Sequence, residues 1–237
     1  MKKKSISLIT IFALITTMIL SSAVVYNATT TPTLKNGVAK ISTSEKKAKK
    51  GKKLSKKLKK FQKKVKAYNK RIYKNGQKKL GGNNKKAQKV VERPSFNVKK
   101  YGIKSGIYGR VKISKINVDM PIYLGCNKTT MANGAAHVSY TSIPYGGKNT
   151  TSVISAHNGW GSKAYFRNLG QLKKGNKVKI TTPFKKLTYV VKKVKVIHSK
   201  KMNEMLIKSK KDRLILFTCK GGVGTENRTV VFCNRKK

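Results

Sequence analysis

The chain has 237 residues and carries 57 Lys and Arg against 6 Asp and Glu, a formal net charge of +51. That length holds one ordinary domain with extensions, and such a field favours polyanionic partners (nucleic acid, anionic lipid or anionic wall polymer) without identifying a fold. Beyond residue 100 the only acids are Asp119, Glu204, Asp212 and Glu226, too few for a calcium cage; no C-x-x-C or H-x-x-x-H pair offers zinc, so neither metal nor cofactor is expected.

Residues 1–26 open with Lys2 to Lys4, followed by an uncharged apolar run from Ile6 to Val25. At ~1.5 Å per residue the run is ~30 Å long as a helix, enough to cross a bilayer's hydrocarbon core. The flanking lysines would stay cytoplasmic, giving a single-pass membrane protein with the remainder outside the cell. A cleaved signal peptide is the alternative, since small residues cluster at Ser21-Ser22-Ala23. Either reading exports the chain, and nucleic acid is not expected as its partner.

Residues 27–100 read as a Lys-rich linker or stalk. Leu54, Leu58, Phe61, Val65, Tyr68 and Ile72 are spaced 4, 3, 4, 3, 4, which predicts an amphipathic helix near 52–74. Nearly every flanking position is lysine, so self-association through the stripe would be repulsive. Two readings stand: a solvated, partly helical spacer, or a basic helix held on an anionic surface such as lipid or teichoic acid or docked on the next domain. "NGQKKLGGNNKK" then breaks the pattern as a joint.

Residues 101–237 alternate short β-rich runs with Gly, Asn and Pro turns. "GIYGRVKI", "VDMPIYLG", "HVSYTSIP", "TSVISAH", "KVKITT", "KLTYVVKKVKVIH", "RLILFTC" and "RTVVFCN" predict eight strands. Short helices are expected at "AYFRNLGQLKKG" and "MNEMLIKS". The fold class is therefore all-β, a barrel or sandwich with minor helices.

Three residue types suggest chemistry. Cys219 ends an apolar strand beside a glycine-rich loop, which would place a thiol at a rim on rigid backbone. Cys126 and Cys233 lack that setting and read as buried or incidental thiols. A cysteine acyl-transfer site needs a proton carrier, and His157, closing "TSVISAH", occupies the corresponding rim position; His137 and His198 read as structural or surface residues. Arg228 opens the strand after Cys219, so an antiparallel hairpin would bring its guanidinium near the thiol to steady an oxyanion. It also reads as an ordinary strand-edge cation that discourages aggregation.

The order His157, Cys219, Arg228 behind a membrane anchor resembles the sortase family of Gram-positive cysteine transpeptidases. "LILFTC" resembles the family's T-L-x-T-C signature, "SVISAH" its histidine strand and "ENRTVVF" its arginine strand; the likeness covers about residues 103 to 235. The resemblance implies a closed eight-stranded β-barrel and three catalytic residues: Cys219, His157 and Arg228. The implied substrates are proteins with an LPXTG-type sorting signal, and the implied acceptor is an amine of a lipid-linked wall precursor or a pilin lysine. "TSIPYGGKNTTSVISAH" is most similar to the pilin-polymerising class. "ERPSF" stands where that class carries a lid with a D-P dipeptide, and the chain ends at "CNRKK" without an apolar tail. A non-catalytic polyanion-binding surface protein and a hydrolytic cysteine peptidase are the alternatives.

Overall fold

The computed structural model describes residues 54–75, 89, 91–159, 161, 164–205, 207, 210–221 and 225–236. Its strands are β1 Gly109–Ile113, β2 Val118–Leu124, β3 Ala135–His137, β4 Thr150–Ser155, β5 Lys177–Thr181, β6 Lys186–His198, β7 Asp212–Cys219 and β8 Asn227–Arg235. They close into a barrel in the order β1-β2-β3-β4-β7-β8-β6-β5. Pairing is antiparallel except for β2 with β3 and β4 with β7. Closure removes free sheet edges, which matters for a β-rich chain.

Alternation sets the two faces of each strand. Residues such as Val111, Ile122, Ile154, Val178, Tyr189, Leu214, Leu216 and Val231 point inward and fill the barrel, with Phe166, Leu169 and Leu172 joining them. The opposite faces of β4, β7 and β8 carry Val153, Ile215, Val230 and Phe232. These pack under Val138, Met202 and Met205 in a second apolar layer outside the barrel.

"HVSYTSIP" departs from the expected strand, because β3 ends at His137. Tyr140 adopts φ 64, and the hydroxyl of Thr141 donates to the Val138 carbonyl at 2.7 Å, so local hydrogen bonds turn the chain. The side chain of His137 is fully buried inside this turn, with Nε2 3.0 Å from both the Ser142 carbonyl and the Thr141 hydroxyl.

Helix α1, Lys56–Lys74, begins where Ser55 accepts from the Leu58 amide at 3.3 Å. It is no free spacer. Phe61, Val65, Tyr68 and Ile72 are buried against Val98, Tyr108, Leu124 and Ile143 of the barrel. Phe61 stacks on Tyr101 at 4.5 Å and meets Phe96, Tyr108 and Phe184 edge-on or tilted. Asn69 acts as a buried clasp, its amide donating to the Ile143 carbonyl at 3.0 Å and its oxygen accepting from the Ile143 amide at 2.8 Å. Of the two readings of the stripe, docking on the following domain is the one observed.

The short α2, Lys128–Asn133, escapes the sequence reading because it has no apolar face; Asn127 and Thr130 fix it through a reciprocal capping box. The expected anchor and most of the expected linker lie outside the described residues. Among the described residues no helix is long and apolar enough to cross a membrane.

Candidate active site

The parallel ladder of β4 and β7 joins 150 to 212 and 155 to 217, a constant offset of 62 positions. It continues past the last paired strand residue: the Ala156 amide reaches the Phe217 carbonyl at 3.4 Å, and the Thr218 hydroxyl donates to the Ala156 carbonyl at 2.8 Å. Carried two residues further, the same register would bring His157 level with Cys219. On the other side of β7, the antiparallel ladder pairs Cys219 directly with Arg228. Cys219 and Arg228 thus form a row across neighbouring strands at one end of the barrel, and the segment that follows β4 leads His157 to that end.

Strand alternation also gives them a common face. Ile215 and Phe217 precede Cys219 on the outer layer, Val153 precedes His157, and Val230 follows Arg228. Cys219 and Arg228 therefore continue the outward face of β7 and β8, and alternation carried two residues past β4 would give His157 the same face. Cys219 and Arg228 are half-buried and His157 is exposed.

The loops leaving the row are tied. The Phe166 amide donates to the His157 carbonyl at 2.9 Å, and the Asn158 amide group donates to the Gly221 carbonyl at 3.2 Å, linking the segments that follow His157 and Cys219. Arg228 donates from Nη1 to the Thr225 carbonyl and, at 2.9 Å, to the Asn227 carbonyl, while the Lys220 amide reaches the Asn227 carbonyl at 2.9 Å. The hairpin mouth is thus closed by its own backbone, and the guanidinium retains further N–H groups.

All three cysteines are free. Cys233 points into the barrel, and burial pushes its thiol up to about 12. Cys126 packs on the outer layer with Phe217 and Val91. Burial pushes its thiol up to about 12 against a lowering hydrogen bond with Ser155, and Glu92 and Cys219 add to the rise. Cys126 and Ser155 therefore form the floor next to the row, a placement that a turn cysteine and a strand serine do not announce in sequence.

The stretch containing "ERPSF" forms the adjoining wall. The Val91 carbonyl accepts from the Cys126 amide at 3.2 Å and the Ser139 amide at 3.4 Å, and the Glu92 carbonyl accepts from the Asn127 side chain at 3.1 Å. Gly125 has φ +88, and a Cβ there would lie 2.6 Å from the Glu92 carbonyl oxygen, so only glycine lets the two segments touch.

His137 and His198 stand apart from the row. His137 is buried in the turn after β3, and burial depresses it to about 4. His198 pairs with Glu226 at 2.6 Å while its Nδ1 accepts from the Lys200 amide at 3.2 Å, an arrangement that pins the far side of the hairpin mouth.

Comparison with known proteins agrees with this architecture. The sortase domain family matches residues 111–236, more than half of the chain, and the protein belongs to the sortase family. It is 29% identical to Sortase D of Bacillus subtilis (strain 168) over 111 residues, 47% of this chain and 53% of that protein. The chain spans about half the length of the curated relatives it matches. Among solved structures it resembles sortase C from Clostridium perfringens SM101, with TM-score 0.60 and 25% identity over 78% of this chain and 93% of that one. It also resembles the pilus-related sortase C of Group B Streptococcus, with TM-score 0.64 and 28% identity over the same 78% and 93% shares.

Proposed function

We propose that the protein is a membrane-anchored cysteine transpeptidase that cleaves an LPXTG-type sorting signal and passes the acyl group to an amine. The observation that carries this reading is the direct pairing of Cys219 with Arg228 at the end of the barrel towards which the β4–β7 ladder, extended by two residues, would also lead His157.

In the first half-reaction the Cys219 thiol proton resides on His157, and the sulfur attacks the scissile carbonyl. The carbonyl electron pair moves to oxygen, and Arg228 stabilises that oxyanion through guanidinium N–H groups not used on Thr225 and Asn227. When the tetrahedral intermediate collapses, the C–N bond breaks, His157 gives a proton to the leaving amine, and an acyl thioester remains on Cys219. In the second half a new amine attacks the thioester, the C–S bond breaks, Cys219 leaves as a thiolate, and the proton of the amine passes to His157. The acceptor is a wall-precursor amine or a pilin lysine. The apolar run from Ile6 to Val25 would hold the enzyme on the outer side of the cell membrane.

The test incubates the protein with an LPXTG-type peptide and follows covalent mass. The parent acquires the acyl adduct and Cys219→Ala does not; turnover by Cys219→Ala equal to the parent would refute the assignment. Supplying a diamine or a pilin-derived lysine peptide separates transfer from hydrolysis, since a hydrolase forms only the free acid.

A further inference from the structure

Helix α1 poses a problem that catalysis leaves unanswered. Ten of its 19 residues are Lys or Arg and none is acidic, although like charges three or four apart destabilise a helix. Lys59, Lys63, Lys66 and Lys70 repeat the 4, 3, 4 spacing of the apolar stripe and so share one exposed face of α1. That face abuts the turn before β4. Lys66, Asn69, Lys70, Tyr73, Tyr145 and Lys148 line a pocket of about 260 Å³ between helix and turn. The Tyr145 ring lies 5.6 Å from the Lys66 ammonium and 4.0 Å from that of Lys185, and its hydroxyl accepts from Gln62 at 3.1 Å. Two cations are therefore gathered about one aromatic ring.

The turn is held firmly. Asp212 accepts from the Gly147 amide at 2.8 Å and from the Tyr189 hydroxyl at 3.0 Å, and Arg235 lies 3.9 Å away. Its charge is thereby engaged in shaping the turn.

We propose that the lysine row of α1 and the pocket it ends in form a docking groove for a linear polymer carrying a phosphate on each repeat. The choice between a polymer and a lipid surface follows from where the stripe goes. A basic amphipathic helix binds a bilayer by burying its apolar face in it, but Phe61, Val65, Tyr68 and Ile72 are already buried against the barrel. Only a charge-to-charge contact is left, and a linear row of ammoniums ending in a pocket suits a flexible chain better than a flat surface. The row extends ~16 Å from Lys59 to Lys70, at ~1.5 Å per residue, so successive phosphates of a chain can be met along it.

The experiment uses the full chain and labelled inorganic polyphosphate, with affinity measured across a salt series. Lys66→Ala/Lys70→Ala/Lys148→Ala is compared with Lys173→Ala/Lys174→Ala/Lys177→Ala, which removes three exposed lysines around the loop leading into β5. Thermal melts and peptide turnover confirm that both variants are folded. The groove variant is expected to lose about tenfold in affinity at about 150 mM salt, with the log–log salt slope reduced by about 2, while the control changes by less than about twofold. Equal losses in the two variants would reduce the site to the diffuse field of a basic protein and overturn the proposal. So would a groove effect confined to phosphatidylglycerol vesicles and missing with polyphosphate, which would make the partner a lipid surface.

Discussion

Acidification should destabilise this protein through one buried imidazole, and His137→Gln should remove most of that sensitivity. His137 Nε2 lies 3.0 Å from the Ser142 carbonyl and therefore bears the proton of the neutral ring. Its Nδ1 is buried without a partner among the described residues, so a second proton would create an unsatisfied buried N–H. Burial accordingly lowers the group from 6.5 to about 4. With the folded value depressed, the unfolded chain binds the proton more readily. The neutral form's contribution is whole above about pH 7 and declines as pH falls through the unfolded value, levelling off below about 4. Linkage over that interval gives about 2 kcal/mol lost between pH 7.5 and 5, and about 3 kcal/mol in total. At an m-value of roughly 2 kcal/mol/M, the urea midpoint of the parent should drop by about 1 M between those two pH values. His137→Gln keeps an amide donor for Ser142 and does not titrate. It starts less stable, but its midpoint should move far less on acidification. Contributions from every other titrating group are common to both proteins and cancel in the comparison. If the variant loses as much as the parent, the buried neutral ring is not the acid-sensitive group.

Three further outcomes follow from the packing and the row. Phe61→Ala should lower unfolding free energy by about 3–5 kcal/mol in chemical denaturation, because the ring is fully buried among Phe96, Tyr101, Tyr108 and Phe184. Arg228→Lys keeps the charge but loses the planar fork, and should slow thioester formation about 10²-fold in single-turnover assays while the melting temperature holds. Iodoacetamide at pH 8 should label Cys219 in the native protein and spare Cys126 and Cys233, whose buried thiols are pushed up to about 12; peptide mass mapping reads the sites.

The strands are legible in the sequence because alternation and turn residues are local signals: seven of the eight expected stretches hold strands over most of their length, and the eighth keeps only His137. The turn at Ser139 to Pro144 is not legible as such. Its β-branched and aromatic residues favour extension, and that preference is overridden by the local bond from Thr141 to the Val138 carbonyl together with tertiary bonds that the Tyr140 amide donates to the Tyr68 hydroxyl and the Ile143 amide to Asn69. The stripe of α1 is visible, but not its destination, since the partners of Phe61 lie as far along the chain as Phe184. At the site, the positions of His157, Cys219 and Arg228 can be read as strand ends. Their shared face cannot, because it depends on a parallel pairing between strands whose residues stand 62 apart. Cys126 and Ser155 give no signal at all: their proximity exists only once β2, β3 and β4 are side by side.

That parallel register has an engineering corollary. Since β4 and β7 are matched rung for rung, the surface between them can be varied without disturbing that ladder, provided Phe166, Leu169 and Leu172 stay to fill the barrel and Met202 and Met205 stay to cover its outer layer. Grafting is therefore confined to exposed stretches such as Lys173 to Gly175 or Lys200 and Lys201, which carry no core side chain.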